Sequence, residues 1–133
     1  MNARCCIFIS IMMWDGIDQR KFPRVNYKCR IRVSRDGKEE VIDTFTENIG
    51  AGGICVILDR DFGLFEEVAL EIFLEDGDRP ILCKGAIVWV VKRHPAVKTE
   101  TVMYDTGVEF LDIADADRDR VDHLVQDILS AET

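Results

Sequence analysis

Two short stretches carry residue types that can act on a ligand. Arg20-Lys21-Phe22-Pro23-Arg24 sets two guanidinium groups four residues apart, with a proline stiffening the chain just before the second. A guanidinium can grip phosphate oxygens bidentately, stack on a purine, or donate to guanine O6 and N7. Asn48-Ile49-Gly50-Ala51-Gly52-Gly53 begins with an amide that both donates and accepts. Its glycines at 50, 52 and 53 permit positive φ and let a ligand come close to the backbone. Each stretch also has a plainer reading. The first can be a charged strand edge that discourages edge-to-edge pairing. The second can be a tight turn between strands. The residues themselves leave both readings open.

Candidates for catalysis are few. His94 and His123 have no ligand-spaced neighbours, and His123 is expected in solvent. No G-x-S-x-G, H-E-x-x-H or P-loop pattern occurs, and the carboxylates are scattered through turns and one helix. Cys5, Cys6, Cys29, Cys55 and Cys83 form no C-x-x-C pair, so they read as reduced cytoplasmic thiols, not as a disulfide framework or zinc site. Cys29, Cys55 and Cys83 are flanked by apolar strand residues and are expected in the core. No enzyme, metal or cofactor is expected.

The 133 residues carry 17 Lys+Arg against 25 Asp+Glu, a net charge of -8. That balance disfavours a general DNA or RNA coat and an anionic-membrane binder, which both need a large cationic surface. The charge is uneven. Between Asp15 and Arg35 stand seven basic residues (Arg20, Lys21, Arg24, Lys28, Arg30, Arg32, Arg35) against Asp15 and Asp18, a local +5 that leaves -13 elsewhere.

The elements that must position these residues are mostly strands. Val25, Tyr27, Cys29, Ile31 and Val33 alternate with Asn26, Lys28, Arg30 and Arg32 along one half-buried strand over 24–33. Asp36-Gly37 then signals a hairpin, with a return strand over about 39–47. Strands follow over about 54–58, 68–74, 81–91 and 101–111, so the expected fold is all-β, a six-stranded antiparallel barrel over about 24–111. Trp89, by strict alternation within 81–91, falls on the inward face opposite Lys84 and Lys92, where core packing is its expected role. Val121, Leu124, Val125, Ile128 and Leu129 repeat as an amphipathic helix over about 115–131, with Asp115 or Asp117 as its cap. Residues 1–17 form an extension whose apolar run over 5–14 is too short to span a bilayer. It reads as a docked extension, an oligomer contact, or the product of an assigned start upstream of a true Met12 or Met13, and the last is preferred.

In order, Arg20-x-x-x-Arg24 before a first strand and Asn48-x-Gly50-x-x-Gly53 before a third resemble the signature of the PilZ domain family, R-x-x-x-R followed by [D/N]-x-S-x-x-G. Gly85-Ala86-Ile87-Val88-Trp89 and Gly107-Val108-Glu109-Phe110 look like that family's later strands, so the resemblance runs over about 18–129. It implies a PilZ-like β-barrel with a helix packed near one end and cyclic di-GMP as ligand. Arg20 and Arg24 would contact phosphates and guanine edges, Asn48 would hydrogen-bond a guanine, Gly53 would keep the turn open, and Trp89 matches a position where some members place an indole against guanine. Gly50 stands where the family usually has Ser; losing one neutral hydrogen bond of roughly 0.5–1.5 kcal/mol should weaken binding about tenfold. Gln19, where some members carry a further Arg, points to a single bound ligand.

The expected function is therefore a bacterial, cytoplasmic cyclic di-GMP receptor acting in motility or biofilm regulation. Its Arg20–Arg24 segment is expected to be mobile without ligand and to fold over it. The chain is expected to relay the signal to a downstream protein, since its length leaves no room for an output domain. The alternative is a PilZ-like interaction adaptor that does not bind the nucleotide and docks through its acidic helix and apolar amino terminus.

Overall fold

The computed structural model describes residues 23–35, 40–77, 79–94 and 101–131. Arg20, the apolar run 5–14 and the Asp36-Gly37 turn lie outside them. Among the described residues, seven strands and one helix follow in order: β1 (Arg24–Asn26), β2 (Arg30–Arg35), β3 (Val41–Gly50), β4 (Gly53–Leu58), β5 (Glu67–Phe73), β6 (Ile81–Arg93), β7 (Met103–Phe110) and α1 (Asp115–Ala131). All pairings are antiparallel, in the order β2–β5–β6–β7–β4–β3, and β3 returns to β2 to close the ring. This is a closed six-stranded barrel with a carboxy-terminal helix. The barrel fills with the β-branched and leucine side chains that pleated strands favour, among them Ile31, Val33, Ile54, Val68, Ile72 and Val108.

The expected first strand is two strands. β1 and β2 lie end to end along one edge of β3, Arg24 opposite Gly50 and Asn26 opposite Asn48, then Arg30 opposite Phe45. One extra residue, Lys28, sits between the bonds Tyr27 N–H to Glu47 C=O and Thr46 N–H to Cys29 C=O, at 3.2 and 2.9 Å. That is a β-bulge, and it leaves backbone groups to satisfy. The Thr46 side chain satisfies two of them. Its hydroxyl accepts from the Cys29 N–H at 3.0 Å and donates to the Tyr27 carbonyl at 2.7 Å, and Thr46 is itself buried.

Two further register shifts interrupt the barrel. One lies between Thr46 and Asn48 on β3, the other between Ile87 and Trp89 on β6. Each inserts one residue, Glu47 and Val88. Each therefore reverses which face the following side chains take.

The helix packs across β1 and β3, with Val121 and Val125 reaching the core and Leu124, Ile128 and Leu129 half-buried against it. Arg120 donates to both Asp76 oxygens at 3.0 Å and to Asp117 Oδ1 at 3.1 Å, tying the start of α1 to the turn after β5. The expected cap is corrected here: the Arg118 N–H bonds to the Ala114 carbonyl at 2.9 Å, so the helix begins after Ala114. Asp115 and Asp117 lie inside its first turn, where their charge suits the macrodipole.

Thr46→Val keeps the shape but strands the Cys29 N–H and the Tyr27 carbonyl. Urea unfolding should show a loss of about 1–3 kcal/mol, and Thr46→Ser should recover most of it.

Candidate functional site

Strand pairing sets five residues in one row across the sheet: Asn26 opposite Asn48, Asn48 opposite Cys55, Cys55 opposite Gly107, and Gly107 opposite Trp89. The neighbouring row of Val25, Ile49, Ile54, Val108 and Ile87 is wholly buried and faces the core. The row of five therefore faces outward. Asn48 and Trp89, 41 positions apart in the chain, share one outer surface because the bulges at Glu47 and Val88 turn both of them out.

This corrects the expected inward face of Trp89. Strict alternation fails at Val88; Val90, opposite Thr106, packs on the core instead, and Trp89 is half-buried outside. Gly107 makes room for the indole. Any side chain at Gly107 would overlap the indole Nε1 and Cε2 atoms, so the ring lies directly on the β7 backbone. Cys55 is corrected too. It is buried, at 3% exposure, but on the outer face beside Glu47 and not in the core cluster that holds Cys29 and Cys83.

The Arg24 end of the first stretch meets the glycine-bearing stretch at the end of this row. Asn48 and Gly50 belong to β3 and Gly53 opens β4, so only Ala51 and Gly52 form the turn. Positive φ is not what Gly50 or Gly53 supplies; among the described residues the left-handed glycines are Gly63 (φ 103°) and Gly77 (φ 79°). Their role is close approach. A Cβ on Gly50 would stand 2.6 Å from the Pro23 carbonyl oxygen and 2.9 Å from Arg24 Cγ. A Cβ on Gly53 would overlap the Val108 carbonyl oxygen and stand 3.0 Å from Arg24 Nη2. The Arg24 side chain lies across these positions and donates from Nη1 to Asn48 Oδ1 at 3.4 Å. Arg24 is thus a strand residue paired with Gly50.

The other basic residues of this stretch that the structure describes are spent elsewhere. Arg32 donates to Asp43 at 2.9 Å and lies 3.7 Å from Glu71; Arg35 lies 3.5 Å from Glu40 and donates to the Phe62 carbonyl. Lys28 and Arg30 stand over the Phe45 and Phe73 rings at 4.9 and 4.7 Å. Lys28, Arg30, Arg32 and Arg35 therefore do not form one cationic entrance with Arg24.

One cluster escaped the sequence reading. Arg93 donates to Glu47 Oε2 at 2.9 Å and to Asp105 Oδ1 at 3.0 Å, and Cys55 Sγ lies 3.8 Å from Glu47 Oε1. Asp105 is on the outer face of β7, two residues from Gly107, so this cluster borders the row. Burial, then the neighbouring Asp105 carboxylate, raises the Glu47 carboxyl above its ordinary range, outweighing Arg93. Burial also pushes up the Cys55 thiol, with Glu47 and Asp105 adding to it, and burial chiefly lifts Cys83 to about 12. Neither thiol is a nucleophile at neutral pH. Nothing in local alternation pairs residues 47, 93 and 105; only the register does. Among the described residues no cluster could hold a metal ion, and no helix is long and apolar enough to cross a membrane.

The sequence matches the PilZ domain over residues 18–127. No curated protein matches it. Among solved structures, it is similar to the inhibitor of motility MotI/DgrA of Bacillus subtilis, with 24% identity and a TM-score of 0.70 over 86% of this chain and 53% of that one. The PilZ domain of YcgR from Escherichia coli with c-di-GMP gives 8% identity and 0.66 over 86% and 95%. The MrkH–c-di-GMP complex of K. pneumonia gives 16% and 0.65 over 87% and 55%. The chain spans about half the length of the motility inhibitor and of MrkH.

A carboxyl with a raised native pKa binds its proton more tightly folded than unfolded, so folding stability falls as pH climbs from the unfolded value near 4.5 through the higher folded one. Glu47→Gln removes that component. The stability of Glu47→Gln relative to the original chain should rise across this window in urea titrations at stepped pH.

Proposed function

The chain belongs to the PilZ domain family, and from that premise we propose that it is a receptor for cyclic di-GMP, not an enzyme, and that it relays occupancy to a partner protein. The observation that carries the reading is the Arg24–Asn48 bond, which joins the two signature stretches at one outer surface. YcgR and MrkH are solved with the same nucleotide on the same fold.

The ligand is a dianion bearing two guanines, and each residue has a matching role. Arg24 supplies charge and a planar fork for phosphate or for guanine O6 and N7. Arg20 lies outside the described residues and joins it on the signature alone. Asn48, held outward by the Glu47 bulge, offers its amide to a guanine edge. Gly50 and Gly53 keep the hairpin free of side chains there. Trp89, flat on Gly107 at the far end of the row, is a stacking surface for a base. The ligand would exchange the Arg24–Asn48 bond for bonds to itself, and because β1 lies against α1, that exchange reaches the helix. In this reading the protein works in the cytoplasm on motility or biofilm control.

Calorimetry at low salt should show binding of cyclic di-GMP by the full chain. Arg24→Ala should weaken it about 10- to 100-fold, the scale of charge-assisted hydrogen bonds. Arg32→Ala, whose guanidinium is committed to Asp43, should change it little. Absence of binding by the original chain would overturn the proposal and leave a nucleotide-independent adaptor. The chain has two tryptophans. In a Trp14→Phe background, nucleotide addition should quench the remaining emission from Trp89, and an unchanged spectrum on binding would remove Trp89 from the site.

A further inference from the structure

Gly50 interrupts the family signature where a serine is usual, and the sequence alone makes it a missing hydrogen bond. Its surroundings make it a seat. In an ordinary antiparallel pair the side chains of opposed residues stand side by side, about 4.5–5.5 Å apart at Cβ. Arg24 and Gly50 are opposed, yet the place where a Gly50 Cβ would stand is 2.6 Å from the Pro23 carbonyl oxygen and 2.9 Å from Arg24 Cγ. The arginine leans over its partner instead of standing beside it. It continues past Gly53, whose Cβ position is 3.0 Å from Nη2, and ends with Nη1 on Asn48. Two bare glycines form a trough, and the aliphatic stem of Arg24 lies in it.

We propose that Gly50 is a positioning residue: it seats Arg24 against the β3–β4 hairpin in the orientation that presents the guanidinium to an anionic ligand beside Asn48. The inference deepens the receptor reading and rests on it for the ligand. It reverses the effect expected of the missing serine. A serine brings a Cβ as well as a hydroxyl. The Cβ meets backbone, which a side-chain rotation does not relieve, so Pro23 and Arg24 must move away. Restoring the usual residue therefore weakens the site, and alanine, which has the Cβ and no hydroxyl, weakens it as much.

The test uses the full chain carrying Gly50→Ala, Gly50→Ser, Arg24→Ala and the Gly50→Ala/Arg24→Ala pair, each titrated with cyclic di-GMP. Amide exchange and the Arg24 Nε–Hε resonance are followed without ligand. Both Gly50 variants should bind at least tenfold more weakly, lose protection at Arg24–Asn26 and shift the Arg24 resonance, while β4 and β7 amides stay protected. In the Arg24→Ala background Gly50→Ala should cost no further affinity, because the group it positions is gone. Equal or tighter binding by Gly50→Ser overturns the proposal. So does an equal loss from Gly50→Ala with and without Arg24, which would mark general damage. If the original chain does not bind, the receptor reading falls by itself. Ligand-free exchange then decides the seat: an unchanged Arg24 resonance and protected β1 in Gly50→Ala overturn it.

Discussion

Closing six strands into a barrel requires them to coil, and three bulges, at Lys28, Glu47 and Val88, interrupt the pairing here. The outer surface of the barrel depends on them. Each adds one residue to one strand; at Glu47 and Val88 the addition exchanges inside for outside beyond it, while across Lys28 the inward alternation from Val25 to Val33 persists. The bulge at Glu47 turns Asn48 out while Thr46 stays in. The bulge at Val88 turns Trp89 out while Val90 goes in. Without them both side chains would be core residues, and one would be a buried amide needing partners. The bulge at Lys28 is held by the buried Thr46 hydroxyl, one residue from Glu47, so the two distortions are neighbours.

The same geometry sorts the charges. An overall -8 with a basic amino-terminal stretch looks like a cationic patch in an acidic protein. In the fold, β2 runs between β3 and β5, whose outward Asp43 and Glu71 take up Arg32, and Glu40 takes up Arg35. Arg24, on the far side of the Lys28 bulge, is instead laid over a glycine hairpin beside an amide. Its bond to Asn48 joins the first and third parts of the sheet edge. The cluster of Glu47, Arg93 and Asp105 borders this place with paired charges and a carboxyl whose ionisation burial opposes.

Glycine serves different ends around this surface. Gly77 allows a left-handed turn. Gly107 makes space for an indole, Gly53 for a neighbouring strand, and Gly50 for the backbone and stem of an arginine. Conformational freedom, the usual argument for a glycine-rich turn, applies to neither signature glycine. Space does, and space is a property of what the chain brings next to the glycine.

The all-β barrel, the helix over 115–131 and the signature positions Arg24 and Asn48–Gly53 that meet at the surface were legible in the order of residues alone. Periodicity and turn chemistry are local, and a signature read along the chain needs no coordinates. Its strand edges were right to within a few residues. Orientation and company came from the fold: that Trp89 faces out, that Cys55 is buried outside the core, that Arg32 and Arg35 are committed to carboxylates, that Arg93 joins Glu47 to Asp105, and that Gly50 lies beneath Arg24. Each of these depends on register between strands distant in sequence. Alternation counts residues along one strand and has no term for the extra residue that a neighbouring strand's closure demands.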